Sequence, residues 1–202
     1  MTINTLVKNI IGVNRCLVKS VDKEEMDDGT KKLIVTVEPS KSDQCRCPLC
    51  KNGKKLPRYD SSKNMCTWRA LDCGGVIVEL KSNRPRVTCP VHNVISADVP
   101  WAFPNSKFTK NFDLTVAWMA KALCKSAVSE FMRISWMTVG RCVTRAREFL
   151  EPDIQNRLQG LRQIGIDETS YSKGHKYITT VVNHETNTVV WVSDGHGKTV
   201  LT

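Results

Sequence analysis

The sequence has no long hydrophobic run. No segment approaches the roughly 18 consecutive apolar residues that a membrane-spanning helix requires. The start is also unlike a secretory signal, because Lys8 and Asn9 precede Ile10 and Ile11 and no extended apolar stretch follows. We therefore expect no membrane insertion and a cytoplasmic location.

The sequence also lacks an even number of cysteines. Its nine cysteines cannot all form pairs. In a chain without a secretory start, thiols are expected to stay reduced and to bind metal or fill the core. This pattern excludes a disulfide-stapled secreted domain and favours metal-binding thiols.

Acidic residues are scarce in the middle of the chain. Residues 41–149 carry 19 basic and eight acidic side chains, whereas residues 1–40 carry six of each and residues 150–202 carry five and six. The formal net charge of +10 therefore comes almost entirely from the middle segment. A generally soluble basic protein would spread its charge evenly, so the sequence predicts a polyanion-binding surface between residues 41 and 149.

Two short motifs in this segment have the spacing of metal ligands. Cys47-Pro-Leu-Cys50 and Cys89-Pro-Val-His92 each place two residues between two ligands. Two such turns can close a tetrahedral Cys3His site of the structural zinc type, with no open position for catalysis. Cys45 remains an alternative to Cys47. The single thiols are expected to be small core residues: Cys16, Cys66, Cys73, Cys124 and Cys142.

Alternating apolar residues predict strands on both sides of the first motif. Residues 15–21 and 32–37 flank an acidic turn at residues 22–29. Two further runs, residues 68–72 and 76–80, lie between the two ligand pairs. We expect these runs to bring the second ligand pair back to the first, as in a zinc ribbon.

Helical periodicity begins after the linker at residues 100–104. Thr109 is expected to cap a first helix, a second should cover about residues 126–132, and Ser135 should cap a third. A short helix, a tight turn and a capped helix form a helix-turn-helix, although Arg133 stands where glycine is common. The predicted inward residues are Phe112, Val116, Met119 and Leu123, then Val139, Cys142 or Val143, Ala146 and Phe149.

The outer face of the third helix is the predicted DNA-reading surface. It carries Met137, Thr138, Arg141 and Arg145. Arg141 and Arg145 are four residues apart, and DNA phosphate or a guanine edge would relieve the repulsion between these like charges. Trp136 is expected either to contact DNA or, more commonly for such a residue, to pack on the first helix.

A short strand-like run with Ile164 and Ile166 on one face is followed, at the predicted end of the strand, by a lone carboxylate, that of Asp167. The runs 176–182 and 188–192, joined by a turn at residues 183–187, complete a predicted three-stranded meander. Strand alternation directs Glu168 to the face opposite Asp167. Asp194 is expected in a loop after the third strand.

The order of these motifs resembles the insertion-sequence transposases of the ISL-three family, over essentially the whole chain. The resemblance is carried by the two ligand pairs, by Arg86–His92 followed by Val99-Pro-Trp101, and by Ala127-Val-Ser-Glu130 and Thr138-Val-Gly140. Its most specific part is Ile164-Gly-Ile-Asp-Glu168 with Lys173-Gly-His-Lys-Tyr177.

This resemblance implies an α+β chain with several parts. They are an N-terminal β segment (1–44), a zinc-ribbon-like domain (45–98), a helix-turn-helix that binds terminal inverted repeats of double-stranded DNA (99–152), and the start of an RNase H-like DDE domain (160–202). Asp167 matches the first catalytic carboxylate, which with two others would hold Mg²⁺ ions for phosphodiester cleavage and strand transfer. The resemblance also implies a homodimer and a bacterial, nucleoid-associated location.

The acidic residues that would complete a DDE triad are missing. Only Glu168, Glu185 and Asp194 follow Asp167. We therefore expect the N-terminal portion of a transposase, truncated within the catalytic domain and inactive alone. The alternatives are a non-catalytic zinc-dependent protein that occupies transposon ends and a zinc-stapled protein-interaction module.

Overall fold

A computed structural model of the chain describes residues 3–50, 53–60 and 65–200. The predicted ranges 1–44, 45–98 and 160–202 each extend into residues outside this set. The chain divides into two compact units, Met1–Phe149 and Leu150–Thr202. Within the described residues, no helix is long and apolar enough to span a membrane.

The first unit begins with a helix and a four-stranded sheet. The sheet order is β1-β2-β4-β3, with β2 and β4 parallel and the other neighbouring pairs antiparallel. The elements are α1 (Ile3–Ile11), β1 (Cys16–Glu25), β2 (Lys31–Pro39), β3 (Met65–Arg69) and β4 (Ile77–Asn83). Helix α1 was not predicted from the sequence.

The core of this sheet consists of alternating apolar residues on its central strands. Val35, Val37, Val78 and Leu80 are fully buried, because alternate side chains of β2 and β4 point to one face. The ring of Trp68 packs edge-on against Trp101, with centroids 5.5 Å apart. Strands β3 and β4 belong to the same sheet as β1 and β2. This one sheet thus contains strands from both predicted ranges, 1–44 and 45–98.

A separate hairpin carries the second ligand pair. Strands β5 (Arg86–Cys89) and β6 (Asn93–Ser96) pair antiparallel, with Cys89 opposite Asn93. The backbone at Arg58 forms a bridge to Val87. This hairpin was not predicted. It holds the second ligand pair, whereas the sequence analysis expected the runs 68–72 and 76–80 to bring that pair back to the first.

Three helices complete the first unit: α2 (Lys110–Met119), α3 (Lys125–Met132) and α4 (Trp136–Leu150). Both predicted caps are confirmed. The Phe112 amide donates to Thr109 Oγ1 at 3.3 Å, and the Thr138 amide donates to Ser135 Oγ at 3.3 Å. The core between the helices contains Phe112, Val116, Val128, Met132, Val139 and Cys142.

Two predicted inward positions of apolar residues are wrong. Leu123 is 46% exposed because α2 ends at Met119 and does not continue. Phe149 is 55% exposed, although its ring contacts Phe103. Trp136, for which the sequence left two alternatives open, is 53% exposed beside Lys125.

The single thiols divide between core and surface. Cys16 and Cys142 are buried as predicted, whereas Cys73 and Cys124 are exposed and Cys66 is half-buried. Spacing along the sequence did not distinguish these environments.

The second unit is the predicted three-stranded meander. Strands β7 (Ile164–Ser172), β8 (Lys176–Asn183) and β9 (Thr188–Asp194) pair antiparallel in that order. A short 3₁₀ helix, Ile154–Leu158, precedes them. Asp194 is the last residue of β9, so its predicted position in a loop is wrong.

The burial difference between Leu80 and Leu123 predicts different mutational costs. Leu80→Ala should lower the free energy of unfolding by about 2–5 kcal/mol, because it leaves a cavity in a close-packed core. Leu123→Ala should change it by no more than about 0.5 kcal/mol, because the side chain is half exposed. Urea unfolding of both variants tests this, and equal costs would contradict the assigned end of α2.

Candidate functional site

Four potential metal ligands from two distant segments meet in the first unit. The ligand atoms of Cys47, Cys50, Cys89 and His92 all lie within 4.8 Å of one another. His92 Nδ1 lies 3.5 Å from Cys47 Sγ, 3.4 Å from Cys50 Sγ and 3.6 Å from Cys89 Sγ. Ligands of a tetrahedral ion with bonds of about 2.0–2.3 Å are separated by roughly 3.5–3.8 Å. The cluster therefore fits a single tetrahedral metal ion.

The surroundings of the cluster favour a thiolate at one position. Burial raises the pKa of the Cys89 thiol, but hydrogen bonds from the backbone amides of His92 and Val91 outweigh it, and the resulting pKa is about 6. The hydrogen bond with Cys89 raises the pKa of Cys50 to about 11. Metal binding would displace any proton that a cysteine of the cluster still carries, because thiolate is the form that binds metal.

Cys45 lies outside the cluster. Its Sγ accepts a hydrogen bond from Arg58 Nε at 3.3 Å, and its backbone has a φ of 60°. Of the two alternatives left open by the sequence, the structure places Cys47 with the other three ligands and places Cys45 against an arginine.

The exposed face of α4 adjoins an open cleft of about 530 Å³. Met137 is 65% exposed and Arg141 is also exposed, and both line the cleft. Thr138 is half-buried, and its hydroxyl lies 2.8 Å from Ser135 Oγ at the start of the helix. Of these predicted DNA-reading side chains, Arg141 and Met137 are thus the most accessible.

Arg145 is held by an internal carboxylate. Its Nε and Nη2 donate to the two oxygens of Asp113 at 2.9 and 2.7 Å, and Asp113 is completely buried. The hydrogen bond and charge of Asp113 raise the pKa of Arg145. The argument that DNA must relieve repulsion between Arg141 and Arg145 is therefore wrong, because Asp113 already neutralises Arg145. Whether Arg145 contacts DNA stays a prediction.

The cleft also contains residues that were not selected from the sequence. Lys125, the first residue of α3, places its Nζ 4.3 Å from the centroid of the Trp136 ring. Asn105 and Thr144 line the same cleft. No sequence signal identified Lys125, because only the packing of α3 against α4 brings these residues together.

Asp167 lies in the middle of β7, an edge strand of the meander, so its predicted position at the end of a strand is wrong, because β7 continues to Ser172. Its Oδ2 accepts a hydrogen bond from Thr169 Oγ1 at 2.9 Å, and its cross-strand neighbour is Thr180. Glu168 is directed elsewhere, because its Oε1 accepts a hydrogen bond from the Gly197 amide at 2.7 Å. Within the described residues, Asp167 belongs to no group of three or more potential ligands close enough to hold one ion.

The strand before Asp167 passes close to a histidine. A Cβ on Gly165 would lie 2.5 Å from His184 Nε2, so only glycine leaves room for this imidazole. The His184 amide donates to Gln163 O at 3.0 Å, which holds the β8–β9 turn beside β7.

Comparison with known proteins identifies both units. Residues 97–147 match the family model for the helix-turn-helix domain of transposase family ISL3, and residues 164–202 match a family model described as transposase. Both matches are therefore to domains of transposases, a helix-turn-helix domain within the first unit and a transposase domain within the second.

Curated relatives support the same class. The chain is 41% identical, over 198 residues, to the transposase for insertion sequence element IS1557 of Mycobacterium tuberculosis, in the strains CDC 1551 / Oshkosh and ATCC 25618 / H37Rv. The aligned region covers 97% of this chain and 44% of each relative. The chain is thus similar to transposases of the ISL3 family and spans less than half the length of these two relatives. No solved structure matches it.

The four-ligand cluster predicts that metal content depends on Cys89 but not on Cys45. Cys89→Ala should abolish tightly bound metal and destabilise residues 45–92, because binding free energy of a structural metal contributes directly to folding. Cys45→Ala should keep a full equivalent of metal. Elemental analysis after gel filtration, with thermal unfolding, checks both variants. Metal loss from Cys45→Ala with retention in Cys89→Ala would contradict the ligand set.

Proposed function

We propose that the chain is the DNA-recognition and initial catalytic portion of an insertion-sequence transposase, which binds the terminal inverted repeats of its element. The observation that carries this proposal is the capped helix α4, whose exposed face presents Arg141 and Met137 beside Lys125. A helix of this kind enters the major groove, where arginine pairs with guanine and phosphate. Thr138 and Arg145 flank this face and complete the proposed DNA-binding set.

We propose that the cluster of three cysteines and one histidine holds structural Zn²⁺. Three thiolates and one imidazole suit zinc, and four protein ligands leave no position for substrate. The hairpin β5–β6 and the bridge between Arg46 and Lys55 beside the first ligand pair support a zinc-ribbon-like module.

Asp167 is proposed as the first carboxylate of an RNase H-like DDE site. It is exposed, and the Thr169 hydroxyl orients one of its oxygens. Carboxylates of this kind hold Mg²⁺, which supplies nucleophile activation and leaving-group stabilisation in phosphodiester chemistry. Asp167 would contribute one ligand to such an ion.

The ranges 99–152 and 160–202 are retained as proposed domains, whereas the ranges 1–44 and 45–98 are retained as proposed segments that share one sheet. A homodimer and a nucleoid-associated cytoplasmic location belong to the same proposal, because a transposase acts on two ends of one element in chromosomal DNA.

Substitution of Arg141 tests the DNA-binding surface. Arg141→Ala should weaken binding to a duplex about 5- to 100-fold and reduce the slope of log affinity against log salt by about 1 if the contact is to phosphate. Fluorescence anisotropy over a salt series measures both quantities. Lys23→Ala, which removes one exposed positive charge from β1, is the matched control. Equal behaviour of the two variants would place the DNA surface elsewhere.

Substitution of Asp167 tests the catalytic proposal. Asp167→Asn, introduced into the protein expressed from its natural gene, should reduce excision of a marked element to background while leaving duplex binding unchanged. Glu185→Gln, in the exposed β8–β9 turn, should excise normally. Wild-type excision by Asp167→Asn would remove this residue from the catalytic site.

The second candidate function is a non-catalytic zinc-dependent protein that occupies transposon ends. Among the described residues, Asp167 belongs to no group of three or more potential metal ligands, which favours this second function. It predicts end binding without excision by the wild-type protein in the same assay, which separates it from the transposase.

A further inference from the structure

The turn between α3 and α4 contains an arginine in a conformation that favours glycine. Arg133 has φ 54° and ψ 48°, in the left-handed region. A side chain in this region strains the backbone, and glycine avoids that strain. Because this turn sets the direction in which α4 begins, the contacts that keep Arg133 in place control the DNA-reading helix.

Two side chains from the end of β3 and the turn after it hold Arg133. Asp72 accepts a hydrogen bond from the Arg133 guanidinium, and Arg69 Nη1 donates to the Arg133 carbonyl at 3.0 Å. Arg69 Nη2 also lies 3.3 Å from Asp72 Oδ1, so one carboxylate joins both guanidinium groups. The side chains of Arg69 and Asp72 are only 17% and 25% exposed, which limits screening by water.

The backbone of Arg69 is anchored at the start of α2. Its amide donates to Lys107 O, and its carbonyl accepts from the Thr109 amide, both at 2.9 Å. Its guanidinium lies 5.5 Å from the centroid of the Phe112 ring. Arg69 therefore contacts both the cap of α2 and the turn before α4.

Asp72 is equally well fixed. The next residue, Cys73, exchanges two backbone hydrogen bonds of 3.0 Å with Val76 around Gly74 and Gly75. These glycines have φ values of 58° and 80°, as a tight two-residue hairpin turn requires. The hairpin thus presents the Asp72 carboxylate from a rigid support.

We infer that Asp72 and Arg69 are positioning residues for DNA recognition, which hold Arg133 in the left-handed conformation and thereby set the orientation of α4. The Arg133 guanidinium is directed to Asp72 and acts as a latch between the sheet and the helix-turn-helix. This inference rests on the proposed function, because it assigns α4 to DNA.

The test compares specific with nonspecific binding by the full chain. The probes are a duplex enriched by the wild-type protein from a random-sequence pool and a scrambled duplex of equal length. Asp72→Asn should lower the ratio of the two affinities roughly 3- to 30-fold, while the salt dependence of nonspecific binding and the metal content stay unchanged. An Arg141 variant differs, because loss of a phosphate contact changes the salt dependence.

The matched control is Asp60→Asn. Asp60 pairs with Arg86 outside the helix-turn-helix, and the side chains of this pair are 23% and 47% exposed, against 25% and 44% for Asp72 and Arg133. Asp60→Asn should leave the affinity ratio within about two-fold of wild type. Equal losses in both variants would overturn the inference.

A second background separates positioning from general destabilisation. In Arg133→Gly, the turn adopts its conformation without a latch, so the further substitution Asp72→Asn should lose much less specificity than it does in wild type. In the wild-type background, Asp72→Glu should keep more of the ratio of specific to nonspecific affinity than Asp72→Asn does, because it retains a carboxylate. An equal loss from Asp72→Asn in both backgrounds would overturn the inference.

Hydrogen exchange gives a readout that needs no DNA. The amides of Arg133 and Ile134 donate to Glu130 O and Ser129 O, both at 3.1 Å. Asp72→Asn should accelerate their exchange, and Asp60→Asn should not. Unchanged exchange would overturn the inference. If the wild-type chain enriches no duplex, the proposed function is contradicted. Hydrogen exchange then tests by itself whether Asp72 holds Arg133 in the left-handed conformation.

Discussion

The arrangement of the helices depends on one buried carboxylate. Asp113 is fully excluded from solvent, and its oxygens accept hydrogen bonds from Arg145 and from Ser106 Oγ at 2.9 Å. Removing one partner from such a pair costs about 3–5 kcal/mol, because an unpaired charge would remain in the core. The paired hydrogen bonds from Arg145 therefore fix α4 against α2 in one register, and the exposed position of Arg141 follows from that register.

A metal ion bound at the Cys3His cluster would constrain the chain over a much longer distance. Its two ligand pairs are separated by strands β3 and β4, which belong to the sheet of β1 and β2 and not to the metal-binding hairpin. A metal at this cluster would close a loop that includes two strands of another sheet, and loop closure of this kind restricts the unfolded chain. The end of β3 also supports the α3–α4 turn through Arg69. Two strands of the sheet therefore lie between the candidate ligand pairs, and the same sheet contacts the helix-turn-helix through Arg69.

Local chemistry explains why many sequence predictions succeeded. Thr109 and Ser135 cap helices because a side-chain oxygen before an apolar helical repeat satisfies a free amide. The meander was predictable from β-branched runs, and the four side chains that cluster as candidate metal ligands from their spacing. The failures occur where distant contacts decide the outcome. Leu123 fits the helical repeat but follows the end of α2. The runs 68–72 and 76–80, expected in a zinc ribbon, instead contribute to β3 and β4 of the four-stranded sheet, where β4 pairs with both β2 and β3.

The sequence alone indicated the resemblance to ISL3 transposases, the four candidate metal ligands and the position of Asp167 on a strand, because each depends on residue type and spacing over a short range. Only the tertiary structure separated Cys47 from Cys45, since three ligands from elsewhere in the fold surround one thiol and Arg58 contacts the other. It also distinguished Arg141 from Arg145. The two arginines lie one turn apart on α4, but only Arg145 faces Asp113, and that difference exists only when α2 packs against α4.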